Sequence, residues 1–354
     1  KELTALLLSV NRTVVDSMIQ STELSELFDR IARTSIGVSG DFCLDAYWEL
    51  DASPPELSIE TGKPTHAITK QRYSLAGAGN VLSNVVSLGV QRVFAFGVRN
   101  NDLFGRELLS QLQALKIDTT GMVLQPSDWD TPVYAKPYLN AEEQNRLDFG
   151  RFNSISQESA NHLIDALEAS LPRLDALVIN QQLPNSIYTS EVVVTLNQLA
   201  EQYAEKVFLL DSRNRGIEFQ HMMYKINARE AARVFGRTVE SNESVPGSDL
   251  QHYARQLYTR FLKPVFITRG SLGILLFDGK ETTEIPAVQL RSPTDTVGAG
   301  DTTVAAIACA LAAGATWKEA ATLATYAAAV TVQKLRQTGT ASPSEILEIA
   351  NSAR

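Results

Sequence analysis

Asp295-Thr296-Val297-Gly298-Ala299-Gly300-Asp301 runs directly into Thr302-Thr303 and an apolar stretch over residues 304–313. Small residues and two glycines let a backbone come close to a ligand. The apolar stretch reads as a buried helix whose free amides and positive dipole end face the turn. The turn therefore has the chemistry of an anion site. Asp301 stands at the helix start. As a local feature it reads equally well as an N-terminal cap. A carboxylate inside an anion cradle also suits phosphoryl transfer, where charge builds on the moving group and a base takes a hydroxyl proton.

The surroundings of this turn fix the fold class. Strand-like runs lie at 36–38, 92–96, 176–179, 207–210, 265–268 and 274–277. Helical stretches lie between most of them, at 81–88, 103–115, 157–169, 187–203 and 250–262. Such alternation predicts an α/β fold with a mostly parallel sheet covered on both faces, and a site at the carboxyl ends of the strands. Two stretches break the pattern. Residues 46–75 are polar and carry Ser53-Pro54-Pro55, and residues 133–149 alternate like antiparallel strands. They read either as a small β flap over the sheet edge, with segments at about 46–75 and 130–152, or as two surface loops.

Residues 1–33 read as an N-terminal helical extension with a packing or dimerisation role, and 34–354 as the main domain. Thr316-Trp317-Lys318-Glu319 and Ser342-Pro343-Ser344-Glu345 have the form of capping boxes, and Gly314 is placed to close the preceding helix.

The 354 residues carry a net charge of -8, with 44% hydrophobic and 20% charged residues. That balance suits a large buried core and argues against nucleic-acid binding, which needs basic clusters. Leu6-Leu7-Leu8 is too short a run for a membrane span or a signal-peptide core. Cys43 and Cys309 are far apart and read as buried thiols of a cytoplasmic protein, not a bridge. The four histidines show no metal-ligand spacing. No G-x-x-x-x-G-K-[ST] phosphate loop and no G-x-G-x-x-G fingerprint is present, which disfavours a P-loop enzyme and a nicotinamide dehydrogenase. The first residue is Lys, which points to a trimmed chain.

Thr296-Val297-Gly298-Ala299-Gly300-Asp301 resembles the C-terminal signature of the PfkB/ribokinase superfamily of sugar kinases. The resemblance runs from about Ser35 to the C-terminus. It implies a ribokinase-like three-layer α/β/α fold with a small β lid, ATP and Mg2+ as cofactors, and a sugar or sugar phosphate as the small-molecule substrate. It also implies that Asp301 is the base, with the amides of Gly298, Ala299 and Gly300 as the anion hole. Gly40-Asp41-Phe42-Cys43-Leu44-Asp45 and Ala76-Gly77-Ala78-Gly79-Asn80 look like the sugar-binding turns, which nominates Asp41, Asp45, Gly77 and Asn80. Ala76 departs from the usual Gly-Gly pair.

Asn227-Ala228-Arg229-Glu230 resembles the N-x-x-E motif that orders magnesium through water, although on its own it reads better as a helix cap. On the nucleotide side the resemblance nominates Arg213, Asn227, Glu230, Thr268, Gly270 and Gly273, together with Gly339-Thr340 at the end of the pocket. Asp295 falls where relatives hold a monovalent cation such as K+. Within the superfamily, 40–48, 131–136 and 144–149 look like bacterial heptose-phosphate kinases, which makes Lys136 and Arg146 candidate ligands of a phosphate on the sugar. Asn180-Gln181-Gln182 departs from that subfamily, which usually carries Asp-Tyr and Lys there. A homodimer is an expected assembly.

Two other classes compete with the kinase. One is a catalytically weak sugar- or nucleotide-binding protein retaining the fold, supported by the departures at Ala76 and 180–182. The other is a Rossmann oxidoreductase.

Overall fold

The computed structural model describes residues 19, 21–240, 243–335 and 337–352. The helical reading of 1–18 lies outside them. In chain order the elements are α1 (Ser21–Ile31), β1 (Ser35–Gly40), β2 (Phe42–Leu50), β3 (Ile68–Gly77), α2 (Ala78–Ser87), β4 (Arg92–Arg99), α3 (Leu103–Ala114), β5 (Asp118–Leu124), β6 (Val133–Leu139), β7 (Glu142–Glu143), β8 (Leu147–Phe149) and α4 (Gln157–Ser170). There follow β9 (Ala176–Gln181), α5 (Ser190–Gln202), β10 (Val207–Ser212), β11 (Met223–Asn227), α6 (Ala228–Val234), α7 (Gly247–Phe261), β12 (Val265–Thr268), β13 (Ile274–Phe277), β14 (Thr282–Ile285), α8 (Ala299–Ala312), α9 (Trp317–Thr331) and α10 (Pro343–Ser352).

Nine strands form one sheet in the order β14-β13-β12-β11-β10-β9-β1-β4-β5, parallel except at β13 and β14. Side-chain alternation along the central strands feeds two cores. Ala176, Val178 and Leu209 face α1, α2, α8 and α9, whereas Leu177, Ile179, Phe208 and Leu210 face α4, α5 and α7. This is the three-layer arrangement expected of buried parallel strands. Helix α8 is buried all round from Thr302 to Leu311, which is why its sequence shows no polar face. The capping boxes at Thr316 and Ser342 form, and Gly314 takes the left-handed conformation past the end of α8.

From β1 the chain runs to β4 and β5 on one side, then to β9 and onward on the other. The order therefore reverses between β1 and β9, and parallel α/β sheets open a crevice at such a reversal. The small second sheet, β3-β2-β6-β7 with β8 on β6, springs from this point because only Asp41 separates β1 from β2. Strands β2 and β3 of the small sheet span Phe42 to Gly77, wider at both ends than the segment read as 46–75. Pairing of β6 with β7 and β8 is antiparallel as expected, but β2 pairs with β6 in parallel.

The extension boundary at 33/34 is corrected for the described residues. Leu24, Leu27, Phe28 and Ile31 of α1 are buried in the main core, and Arg30 Nε donates to the Ala313 carbonyl. Cys43 and Cys309 are both free and buried. Among the described residues no helix is long and apolar enough to cross a membrane.

Candidate active site

Three strand ends meet in one row. Asn180, Asp211 and Lys225 are register partners across β9, β10 and β11. Lys225 Nζ lies 3.1 Å from Asp211 Oδ1, with both residues about 5% exposed or less. Burial pushes the Lys225 ammonium toward neutrality, but Asp211, Glu230 and Asp301 outweigh it and the pKa is net raised. The sequence motifs missed Lys225. Its signal was a lone cation in the otherwise apolar strand just before Asn227.

Gly298 caps α8 in the left-handed conformation (φ 80°), which favours glycine. A β-carbon on Gly300 would stand 3.1 Å from Lys225 Nζ. Gly300 thus leaves room for a ligand between the helix start and a buried cation. The anion-hole expectation needs one correction: the Ala299 amide donates to the Thr296 carbonyl at 3.2 Å. The Gly298 and Gly300 amides have no backbone partner among the described residues.

Asp301 sits in the first turn of α8. Burial raises its pKa to about 6, opposed by a hydrogen bond from Asn80 and by Lys225 and Arg213, while Asp211 adds to the rise. Asn80 Nδ2 donates to Asp301 Oδ2 at 2.6 Å, so the amide nominated for sugar also touches the nominated base. The exposed Arg213 sends its positive field to both Asp301 and Glu230.

A cavity of about 480 Å³ opens beside this turn. Thr268, Gly270, Gly273, Thr296, Ala299 and Gly300 line it, together with apolar walls such as Ile274, Val288 and Ala328. The structure thus brings Thr268, Gly270 and Gly273 to one cavity wall with the turn before α8. A β-carbon at Gly273 would strike the Ile285 carbonyl at 2.0 Å, so only glycine fits. An apolar slot ending at helix amides fits a nucleotide triphosphate.

Asn227 and Glu230 form the cap that the local reading favoured. Asn227 Oδ1 accepts from the Glu230 amide at 2.9 Å, and Glu230 Oε2 accepts from the Asn227 amide at 3.1 Å. The same glutamate faces Lys225, Asp211 and Arg213, and its pKa is raised, chiefly by burial. Among the described residues no group of three acidic, histidine or cysteine side chains is placed to hold a metal ion, so Asn227 and Glu230 fit a magnesium ion only through its retained waters. Asp295 Oδ1 accepts from the Val297 amide at 3.0 Å, which shapes the loop before α8.

Asp41 is corrected from sugar ligand to structural tie. Its carboxylate accepts from the amides of Gln182, Leu183 and Ile187 and from Ser186 Oγ at 2.6–3.2 Å, which uses both oxygens. Burial nevertheless raises its pKa. Gly77, at φ 55°, lies where a β-carbon would meet the Asp41 carbonyl at 2.4 Å, so it shapes the turn. Ala76 pairs with Cys43 as an ordinary strand residue, which explains why Gly is not needed there. Gln181 Oε1 accepts from Ser212 Oγ and from the Asn214 and Arg215 amides, so the 180–182 departure is a clamp between two strand ends.

One face of the small sheet is polar. Asp45 Oδ1 is 2.9 Å from Lys136 Nζ, and Arg146 is paired two-pronged with Asp148 at 2.6 and 2.9 Å. Both predicted phosphate ligands are therefore engaged by carboxylates. Arg72, unnoticed in the sequence, sits over the Tyr47 ring, 3.9 Å from its centre, and is exposed. Tyr47, Lys70, Arg72 and Tyr138 line a cavity of about 440 Å³.

A family model described as pfkB family carbohydrate kinase matches residues 43–345. The chain is 30% identical over 327 residues to the bifunctional protein HldE of Wolinella succinogenes, covering 91% of this chain. It is 28% identical over 331 residues to the HldE of Geobacter sulfurreducens, covering 93% of this chain. The chain spans 65% of the length of each of these relatives. Among solved structures, phosphofructokinase-2 from Escherichia coli in complex with fructose-6-phosphate aligns with a TM-score of 0.69 at 18% identity, over 90% of this chain and 99% of that one. Ribokinase from Thermotoga maritima aligns with a TM-score of 0.65 at 20% identity, also over 90% and 99%. These two likenesses establish the shared fold.

Proposed function

This chain belongs to the pfkB family of carbohydrate kinases, and from that premise we propose that it moves the terminal phosphate of ATP onto a hydroxyl of a phosphorylated sugar, with Asp301 as general base. The observation that carries the reading is the seat of Asp301. Its carboxylate stands one residue past Gly300, which lines the nucleotide-sized cavity, and its pKa of about 6 leaves it ionised at neutral pH.

In this reading ATP lies in the cavity with its phosphates toward the Gly298 and Gly300 amides. Lys225 and Arg213 supply positive charge on the side of the moving phosphoryl group, where such charge lowers the barrier. Asp301 takes the acceptor hydroxyl's proton. Asn80 and Asp45 orient the sugar, and Lys136 holds Asp45 in place through their 2.9 Å ion pair. Magnesium, held through water by Glu230 and Asn227, would neutralise phosphate charge. A monovalent cation at Asp295 belongs to the same proposal, and omission of K+ from the assay tests it.

The phosphate on the sugar is assigned to the face carrying Arg72. This guanidinium has no carboxylate partner among the described residues and sits over the Tyr47 ring, 3.9 Å from its centre, which leaves its donors open to an oxyanion. Tyr47 lies two residues beyond Asp45, about 6.6 Å along the strand. That spacing suits a distal phosphate on a sugar whose other end reaches the base. The second reading, a catalytically weak binding protein, drew on Ala76 and residues 180–182, and both departures have structural explanations. ADP release measured with ATP and magnesium over matched neutral and phosphorylated sugars tests the proposal. A preference for the neutral member of every pair would refute the phosphate assignment.

A further inference from the structure

Asn84 lies one helical turn after Asn80 on α2 and is 1% exposed. Its Nδ2 donates to the Asn80 carbonyl at 2.9 Å and faces Asn80 Oδ1 at 3.5 Å. Its Oδ1 accepts from Thr302 Oγ1 at 2.8 Å. Thr302, fully buried, is the residue after Asp301, and Asn80 Nδ2 closes the circuit on Asp301 Oδ2. Four side chains thus form a polar ring between α2 and α8, where the neighbours Val81, Leu82, Val304 and Ala305 belong to the apolar core. Polar groups in such a place are costly unless each finds a partner, and here each does.

The ring has a direction. An amide offers hydrogens at one end and an oxygen at the other. If Asn80 turned over, its oxygen would face the Asp301 carboxylate, acceptor against acceptor. The Asn84 Nδ2 beside Asn80 Oδ1 opposes that turn. Asn84 is fixed in its own turn, because reversal would bring its oxygen against the Asn80 carbonyl and leave Thr302 Oγ1 only its longer contact, 3.2 Å to the Gly298 carbonyl.

We propose that Asn84 and Thr302 are positioning residues for the phosphoryl-transfer step, holding the Asn80 amide with its N–H on Asp301 so that the base stays aimed at the cleft. The proposal rests on the reading of Asp301 as the base. The groups that act on Asp301 from the surrounding elements are Asp211, Lys225, the exposed Arg213 and the Cys43 thiol. All four are untouched by the variants below, so a change in its titration reports on the ring.

The test is a carbon-13 NMR titration of the side-chain carboxyls in aspartate-labelled protein, with the Asp301 signal assigned by its loss in Asp301→Asn. Wild type is compared with Asn84→Ala and with the nearly isosteric Thr302→Val, each checked for folding by near-UV circular dichroism. Loss of a hydrogen bond to an ionised group should move the Asp301 midpoint up by about one pH unit in Asn84→Ala, and less far in Thr302→Val. An unmoved midpoint in folded Thr302→Val and Asn84→Ala overturns the positioning role. Turnover of ATP with a sugar panel by Asp301→Asn separates the two ideas. An active Asp301→Asn removes the base reading and the positioning role with it. An inactive one with unmoved midpoints removes the ring's role alone.

Discussion

Lys225 Nζ lies 3.1 Å from Asp211 Oδ1, and the same ammonium stands 3.1 Å from the place a β-carbon on Gly300 would take. One buried cation therefore joins the ends of two strands to the helix start that carries Asp301. Removing one partner of a buried pair strands the other, at a cost of about 3–5 kcal/mol. Lys225→Met should lower the urea midpoint accordingly. The double change Asp211→Asn with Lys225→Met should recover most of that stability and none of the turnover. Recovery of turnover in the double variant would make Lys225 purely structural.

The raised pKa of Asp301 links activity to stability. With Asp301 as the proposed base, activity requires its ionised form, so kcat/KM should rise with pH through about 6. Stability runs the other way. The folded protein holds the Asp301 proton up to about 6, whereas an unfolded chain loses it near 3.8. Folding stability from this group is therefore full below 3.8 and is lost as pH rises through 6. Asp301→Asn should raise Tm at pH 7 and leave it nearly unchanged at pH 4. A Tm difference that does not grow with pH would contradict the burial of an ionised carboxylate.

Glu230 caps α6 through Oε2 while facing the charged row, and two variants separate these roles. Glu230→Gln keeps an acceptor for the Asn227 amide but loses the charge. It should raise the magnesium concentration for half-maximal rate with little loss of stability. Glu230→Ala should add about 0.5–2 kcal/mol of destabilisation from the lost cap. An unchanged magnesium dependence in stable Glu230→Gln would exclude the metal role.

Arg72→Ala should raise KM for a phosphorylated sugar about tenfold or more while leaving a neutral sugar almost unaffected, as expected for loss of a charge-assisted bond. Lys136→Ala and Arg146→Ala act through Asp45 and Asp148, to which they are paired. Lys136→Ala should therefore disturb neutral and phosphorylated sugars alike. Equal KM for the two sugar classes in wild type and Arg72→Ala would remove the phosphate site from this face.

Much of this architecture was legible in the sequence because buried strands leave dense apolar runs, as at Val265–Thr268 and Ile274–Phe277, where the expected bounds match those observed. Edge strands leave weaker traces. Asp118–Leu124 carries Gly121 and a polar start, and Thr282–Ile285 is short and mostly polar, so neither was foreseen. Strand β2 was hidden for another reason: Asp41, Cys43 and Asp45 read as a turn motif, yet Asp41 is the single residue between two strands. Asp301 was legible from its glycine turn. Lys225 was not, because its partner Asp211 sits on another strand and its own neighbours Tyr224 and Ile226 look like plain core. Arg72 sits in the polar run Lys70-Gln71-Arg72, where only the opposite strand supplies the Tyr47 ring that orients it.

Removal of the acceptor's proton by Asp301, as proposed for an ATP-dependent sugar kinase, is tested by ADP release from wild type and Asp301→Asn over a sugar and sugar-phosphate panel with ATP and magnesium. Wild type should turn over at least one acceptor above the no-sugar blank. Asp301→Asn should lose ~10²–10⁴ in rate on that acceptor while still binding ATP. Near wild-type turnover by Asp301→Asn, or ADP release by wild type that no sugar raises above the blank, would contradict the account.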